Sequence, residues 1–285
     1  MNRKDFRFLD RLRVRWAEID AQKIVFNGHY LLYFDTAVAG YWRALALPYA
    51  STMEALGGDL YVRKATVDYL GSAHYDDLLE VGIRCARIGN SSIVFDAAVF
   101  RQDRLLVTGE LVYVFADPST QGSRPVPQAL RDVLLGFEAC ESMLEVRIGK
   151  WSELGSAAQV IRRTVFVEEQ KVPLAMEHDS ADFTALHALA VNRLGLAVAT
   201  GRLVEAAAGP GRIGRVAVHQ ALRGGGIGRS VLDALLRAAR ERGIGEVVLS
   251  AQATASAFYR DAGFVAHGDE FKEAGVPHME MTRRL

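Results

Sequence analysis

The period of the hydrophobic pattern changes several times along the chain, and each change marks an element. Near the N-terminus Leu12, Val14 and Trp16 alternate with Arg11, Arg13 and Arg15, which predicts a half-buried strand. From about His29 the period lengthens. Leu31, Phe34, Val38, Tyr41, Trp42 and Leu45 share one broad apolar face, wide enough for a helix mostly surrounded by protein. Strand patterns alone follow. Residues 61–70 (YVRKATVDYL) alternate, 78–101 read as two strands around Gly89-Asn90, and 104–116 (RLLVTGELVYVFA) complete the set. The plan is one long central helix wrapped by an antiparallel sheet.

The pattern then breaks. Residues 117–127 (DPSTQGSRPVP) hold three of the chain's seven prolines, the mark of a connection over the surface. A short helical stretch, 128–139, comes next, and a new strand pattern begins at Leu144. The boundary is expected near 138–142, giving domains 1–140 and 141–285. Beyond it, 212–220 (RIGRVAVHQ) reads as a strand. Val231, Leu232, Leu235, Leu236 and Ala239 then line one face of a helix that Gly243 can end.

Composition narrows the classes. A length of 285 residues suits two domains of ordinary size. Half the residues are hydrophobic and 24% are charged, as in soluble globular proteins. Lysine and arginine are scattered and balanced by acids to zero net charge, which argues against a nucleic-acid partner. No apolar run approaches a membrane span, and the charged N-terminus lacks the apolar stretch of a signal peptide. Cys85 and Cys140 are the only cysteines, and no histidine falls in an HExxH pattern. These features predict a reduced, cytoplasmic compartment and no metal.

Between the strand and helix of the second half stand Gly224, Gly225, Gly226 and Gly228. Bare N–H groups at a helix N-terminus suit a phosphate. The position five before Gly228 is Arg223 rather than glycine, so a Walker loop is excluded. A dinucleotide loop would follow its strand at once and show an acid about twenty residues on. Here HQALR intervenes, and the next strand, 246–252, ends in small and amide residues. Arg-x-x-Gly-x-Gly remains: Arg223, Gly226 and Gly228.

That loop resembles the pyrophosphate loop of the GNAT N-acetyltransferase superfamily. AQATASAFYRDAGF (251–264) is similar to the family's second signature: a strand, a helix carrying Phe-Tyr, then Gly-Phe opening the last strand. VFVEEQKVP (165–173), ATGRL (199–203) and AGVPHMEM (274–281) resemble a bacterial branch of it. The resemblance covers roughly 143–285. It implies an α/β domain, a mixed central sheet with helices on both faces, that moves an acetyl group from acetyl-CoA to an amine. It implies that Arg223, Gly224, Gly226, Gly228 and Arg229 cradle coenzyme A, with strand backbone at Val216 and Val218. It gives Tyr259 the task of protonating the departing thiolate. The residues alone also allow Tyr259 to be a core aromatic. Gln252 stands where many relatives carry Asn, a departure that bears on the hydrogen bonding around Tyr259. Glu168, Glu169, Glu177 and Asp179 read either as acceptor-binding carboxylates or, preferred here, as a solvated acidic face. His187 alternates with apolar residues as a satisfied strand histidine does, so no general base is assigned.

In the first half, AEIDAQKIVFNGHYLLYFD (17–35) resembles the active-site segment of the 4-hydroxybenzoyl-CoA thioesterase-like acyl-CoA thioesterases. ATVDYLGSAHYDD (65–77) is similar to their following strand and turn. This resemblance covers about 10–138 and implies an α+β hotdog domain. Asp20 falls on the family's catalytic aspartate. A carboxylate there can attack the thioester carbonyl or activate water, and the helix-start N–H groups can stabilise the oxyanion. By spacing alone Asp20 is equally a turn residue or helix cap. Asn27 replaces the His of many relatives; its amide can orient water or the thioester but cannot be a base. His29 and Tyr30 either flank the acyl pocket or pack the helix start. Arg87, Ser91 and Ser92 are either coenzyme A phosphate contacts or exposed hairpin residues. Hotdog domains pair through their sheets, which implies a homodimer or homotetramer with sites at the interface.

The expected whole is a bifunctional enzyme that hydrolyses acyl-CoA in one domain and acetylates an amine in the other. Its alternative is that one domain has lost catalysis and senses or recruits coenzyme A thioesters.

Overall fold

The computed structural model describes residues 1–177, 179–206, 209–273 and 275–285. The chain divides into two compact units, Met1–Met143 and Leu144–Leu285.

In the first unit the strands are β1 (Phe8–Arg13), β2 (Asp59–Tyr69), β3 (Leu78–Ile88), β4 (Ser92–Arg101) and β5 (Arg104–Ala116). They form one antiparallel sheet in the order β1-β3-β4-β5-β2. Helix α1 (His29–Ala44) lays its apolar stripe on the sheet. Phe34, Ala37 and Tyr41 lose all contact with water, and the Phe34 ring lies directly over Gly109 of β5. A short helix α2 (Tyr49–Leu56) follows, and α3 (Gln128–Glu138) closes the unit. Glu138 fastens α3 to both layers: its Oε1 accepts from Tyr41 Oη at 2.5 Å and from the Cys85 amide at 2.8 Å. This is the helix-in-sheet plan of a hotdog domain.

Three details differ from the sequence pattern. The first strand ends at Arg13, and the chain turns through a 3₁₀ turn at Trp16–Glu18. Trp16 is therefore exposed, with its ring edge-on to Tyr75 at 5.4 Å. Leu31 has the right helical angle yet faces solvent, because the first turn of α1 is covered only on the side of Tyr30 and Tyr33. Strand β2 alternates in sequence, but it stands at the free edge of the sheet and neither face is covered beyond Leu60. Tyr61, Val62, Tyr69 and Leu70 are all exposed.

The second unit is a seven-stranded sheet, ordered β11-β12-β10-β9-β8-β7-β6. Its strands are β6 (Leu144–Lys150), β7 (Leu186–Asn192), β8 (Ala197–Val204), β9 (Gly211–Val218), β10 (Glu246–Gln252), β11 (Val265–Glu273) and β12 (Val276–Arg284). Only β9 and β10 run parallel, the pair joined by a helical crossover. Helices α4 (Trp151–Arg162) and α6 (Ile227–Glu241) cover opposite faces. Ala158 of α4 packs on Leu189 and Val191, whereas Val231 and Leu235 of α6 close over Gly201. Two short helices, α5 (Leu174–Glu177) and α7 (Ser256–Asp261), complete the unit. Gly263-Phe264 leads into β11, which is not the last strand. β11 lies at the sheet edge and is mostly exposed, so its polar sequence hid a hairpin whose return strand, β12, pairs with β10.

The contact between α1 and β5 sets a test. A Cβ at Gly109 would stand 2.6 Å from Phe34 Cε2, and Phe34 has no free volume around it. Gly109→Ala is expected to lower stability by about 1–3 kcal/mol, the usual cost of overpacking. An unchanged urea midpoint would show that α1 does not press on the sheet there.

Candidate active sites

The first site grows from the turn between β1 and α1. Ile19 pairs with Val25 in an isolated bridge, and the Asp20 amide donates to Ile24 O at 2.9 Å. Asp20 Oδ1 accepts from the Gln22 amide at 2.7 Å, closing the tight turn in which Lys23 takes a φ of 63°. Among the described residues, Oδ2 has no hydrogen-bond partner. Asp20, Asn27 and Tyr30 line one cavity of about 340 Å³, together with Tyr69, Gly71 and Ser72. Tyr30 is fixed by the Ala73 amide, which donates to its hydroxyl at 3.1 Å, and Tyr69 donates to Asn27 O at 3.1 Å. His29 is placed elsewhere, edge-on to Phe26 at 6.0 Å. Arg87, Ser91 and Ser92, at the β3–β4 turn, do not line this cavity.

Sequence reasoning missed the residue that holds this turn. Glu18 is buried and accepts from Tyr33 Oη at 2.7 Å, the Arg15 amide at 2.7 Å and Arg15 Nε at 2.8 Å. Burial works to raise its carboxyl, but these donors prevail and hold it below the usual carboxylate range. The Tyr33 phenol is pushed up in turn, by burial first and by Glu18 second. The local signal was the Arg15-x-x-Glu18 spacing, but the partner that ties Glu18 to α1, Tyr33, lies fifteen residues away.

The second site opens where the parallel ladder ends. β9 and β10 pair only at Gly211–Val247 and Arg212–Val248. Beyond that they part around a cavity of about 310 Å³, whose lining includes Val216, Ser250, Gln252 and Tyr259. The Tyr259 ring is packed edge-on against Phe258 and Phe264. Burial pushes its phenol up to about 12, so it keeps its proton at neutral pH. Gln252 Nε2 donates to Gln170 Oε1 at 3.0 Å, tying β10 to the segment after α4.

The glycine loop precedes α6. Gly224 and Gly226 take φ values of 81° and 84°, in the left-handed region where a side chain is strained. The first amide of the helical ladder is that of Ser230, which donates to Gly226 O at 3.1 Å. The amides of Gly226, Ile227, Gly228 and Arg229 lie ahead of it. Gly228 differs from the others: it packs close to Val218, where a Cβ would come within 3.2 Å of Cγ2. Arg223 gives Nη1 and Nη2 to Glu169 at 2.7 and 2.6 Å and Nε to Val218 O at 3.1 Å. Its side chain thus fastens the loop to the strand end and to the π-helical turn Arg163–Glu169. Arg229 is held by Asp233 at 2.9 Å and by Asp261 O at 3.0 Å.

The acidic segment is a solvated face only in part: Glu168 and Asp179 are exposed, Glu169 is half-buried and Glu177 is buried. Glu177 is buried and paired with Arg162. Asp182, also buried, accepts from Arg162 at 2.7 Å and from Arg202 at 2.6 Å. Asp179 accepts from Arg202 at 2.7 and 2.6 Å and from Arg215 at 3.2 Å. Exposed Glu168 is loosely held, 3.3 Å from Arg163, whereas Asp179, also exposed, is held by two arginines. The arginines come from α4, β8 and β9, too far along the chain for spacing to reveal. The one local signal was Arg202 itself, a charge inside an apolar strand. His187 is a satisfied strand histidine: its Nε2 donates to Asp182 O at 2.9 Å, and burial lowers its proton affinity.

Among the described residues no group of three or more His, Cys, Asp or Glu could hold a metal, and no helix is long and apolar enough to cross a membrane. Residues 22–108 match the family model described as Thioesterase superfamily, and residues 162–285 that described as Acetyltransferase (GNAT) domain. The chain is 34% identical over 137 residues to the uncharacterized N-acetyltransferase YjcF of Bacillus subtilis (strain 168), covering 48% of this chain and 96% of YjcF. It is 32% identical over 96 residues to a protein of Aquifex aeolicus (strain VF5) named as a presumed esterase, covering 34% of this chain and 74% of that one. Among solved structures, an acyl-CoA N-acyltransferase from Pseudomonas aeruginosa is 34% identical, with 49% of this chain and 99% of that one covered and a TM-score of 0.46.

The arginine network makes the second unit acid-sensitive. Burial works to raise the Asp182 carboxyl, but hydrogen bonds from Arg162 and Arg202 bring it down to about 2. A depressed carboxylate stabilises the fold fully above its unfolded pKa and loses that contribution as pH falls through its folded one. Asp182 is expected to contribute about 2–3 kcal/mol at pH 7 that disappears between about pH 4 and 2. Denaturation across that range should show a shallower acid loss in Asp182→Asn, from a lower starting stability. A variant with the wild-type pH slope would contradict the assignment.

Proposed function

We propose, on the premise that the chain belongs to the thioesterase superfamily through its first half and to the GNAT acetyltransferases through its second, that it is a bifunctional enzyme of coenzyme A thioesters. The observation that carries this reading is common to both halves. In each, an ionisable side chain, Asp20 or Tyr259, faces a cavity, and each unit has a helix start with amides ahead of the helical ladder, at Asn27–Tyr30 on the wall of the first cavity and at the glycine loop before α6 in the second unit.

In the first domain, 1–140, Asp20 acts on the thioester through its unpartnered oxygen, either attacking the carbonyl carbon or taking a proton from the attacking water. The N-terminal amides of α1 meet the oxyanion. Asn27 orients the thioester or water, and Tyr30 lines the acyl pocket, with His29 outside its wall. A second copy of the chain covers the exposed edge strand β2, giving a homodimer or homotetramer. The support is four exposed apolar or aromatic residues on and just beyond an unprotected sheet edge. Tyr69, which lines the Asp20 cavity, ends that strand, so the interface and the site adjoin. Both cysteines are free thiols, in keeping with a reduced cytoplasmic setting.

In the second domain, 141–285, acetyl-CoA enters between the parted ends of β9 and β10. The open amides from Gly224 to Arg229 receive the pyrophosphate. Arg223 and Arg229 fix the loop through Glu169, Asp233 and Asp261. Strand backbone at Val216 and Val218 holds the pantetheine arm, and Tyr259, still protonated at neutral pH, gives its proton to the sulfur as the thioester breaks. A second reading keeps one unit as a binding module. The tie between Gln252 and Gln170 favours it, because that amide nitrogen is already engaged by another side chain. Coenzyme A binding without turnover would support it.

Two substitutions separate the activities. Asp20→Asn is expected to lower acyl-CoA hydrolysis about a thousandfold and leave amine acetylation intact. Tyr259→Phe removes one hydroxyl and should lower acetylation about a hundredfold or more, with hydrolysis and coenzyme A affinity unchanged. Either variant at wild-type rate on its own reaction would remove that residue from the mechanism. For the interface, Val62→Lys should yield monomers by light scattering with hydrolysis reduced and acetylation kept. A monomeric wild-type protein that hydrolyses acyl-CoA would refute the shared-edge site.

A further inference from the structure

An acceptor amine is an ammonium ion at neutral pH and cannot attack a thioester until a proton leaves it. We infer that Nε2 of His278 takes this proton, making His278 the general base of the second unit; the inference rests on the acetyltransferase reading given above. His278 lies on β12 in register with Gln252 of β10, and it lines the same cavity as Tyr259. It is 8% exposed.

The tautomer follows from the hydrogen bonds. Nδ1 lies 2.8 Å from Val276 O. A carbonyl oxygen only accepts, so Nδ1 carries the hydrogen, and the neutral ring has its lone pair on Nε2. Among the described residues Nε2 has no hydrogen-bond partner. The ring is stacked on Phe271, with centroids 6.1 Å apart and planes at 27°, so its direction is fixed from the side. The imidazole is thus arranged as a buried proton acceptor with its other nitrogen anchored, the arrangement a general base needs.

Two other ionisable groups of the cavity are committed. Glu177 is paired with Arg162, and Tyr259 keeps its proton. Glu273 is exposed on β11. Among the described residues, the charged groups that line the cavity with His278 are Arg202 on β8, Arg212 and Arg215 on β9, Glu177 on α5 and Glu273 on β11; Asp179 is paired with Arg202 and Arg215, and Glu280 on β12 with Arg212.

The reaction balances through these two residues. An ammonium N–H bond breaks and an Nε2–H bond forms, leaving a neutral amine and an imidazolium. The amine nitrogen attacks the thioester carbon, forming the C–N bond and placing charge on oxygen. Collapse breaks the C–S bond, and the sulfur takes the phenolic proton of Tyr259. The nitrogen's surplus proton restores Tyr259 as the amide forms, and the imidazolium releases its proton to water.

The test compares acceptors that need a base with acceptors that do not. Benzylamine, tyramine and lysine are protonated at pH 7, whereas aniline and 4-aminobenzoate carry neutral arylamines. His278→Asn retains an N–H for Val276 O and removes Nε2; His278→Gln guards against a folding failure in the first variant. With acetyl-CoA at pH 7, the variant is expected to lose about a hundredfold or more in kcat/KM on the aliphatic amines. It should lose less than about tenfold on the arylamines and bind coenzyme A normally by calorimetry. The aliphatic loss should shrink as pH rises. Equal losses on both classes would mean a structural role and overturn the inference, as would wild-type rates throughout. A wild-type protein that acetylates none of the five amines would overturn the acetyltransferase reading itself, and the base with it.

Discussion

A backbone amide or carbonyl taken from water without a partner costs more than most contacts return. In the two sheets of this chain, each candidate site lies beside a place where a ladder stops. In the second unit β9 and β10 exchange hydrogen bonds over two residue pairs and then part. Their facing edges border the cavity that holds Tyr259 and His278. In the first unit the ladder stops at β2, whose outer edge has no strand neighbour among the described residues. On the proposed function, a ligand would complete the first of these edges and a second copy of the chain the other.

A network of buried or half-buried charge lies beside each site. Glu18 gathers three donors beneath the Asp20 turn. Arg162 and Arg202 converge on Asp182, and Asp179 links Arg202 to Arg215 at the cavity wall. Such groups are costly to bury and more costly to leave unpaired. Each therefore locks the backbone that carries it, and the loops around the cavities inherit that rigidity. Arg223 and Glu169 tie the glycine loop to the π-helical turn at the surface.

Much of this was legible in the sequence. The long period of α1, the alternation of β3 to β5 and the glycines ahead of α6 are local patterns, and local patterns survive folding. Asp20, Asn27 and Tyr30 were named together and share a cavity; Tyr259 and Val216 share another. What the sequence hid was long-range. Glu177 and Asp179 look like surface acids until arginines from three other elements meet them. Leu31 sits at the right helical angle, yet coverage by the sheet decides its burial, and no periodicity reports coverage. Trp16 continues an alternation that the 3₁₀ turn cuts off. His278 was unremarkable in AGVPHMEM because its meaning lies in a hydrogen bond from Nδ1 and a register with Gln252. The β11–β12 hairpin was missed because an exposed edge strand needs no hydrophobic face.

The central claim is that one chain carries two separate chemistries on coenzyme A thioesters. The measurement that tests it most directly is thiol release from a panel of acyl-CoA substrates by the intact protein, with and without added amines. The account predicts amine-independent release from at least one acyl-CoA and amine-dependent release from acetyl-CoA, the second matched by N-acetylated product. Release that never depends on amine would contradict the acetyltransferase half. Release that always requires amine would contradict the thioesterase half.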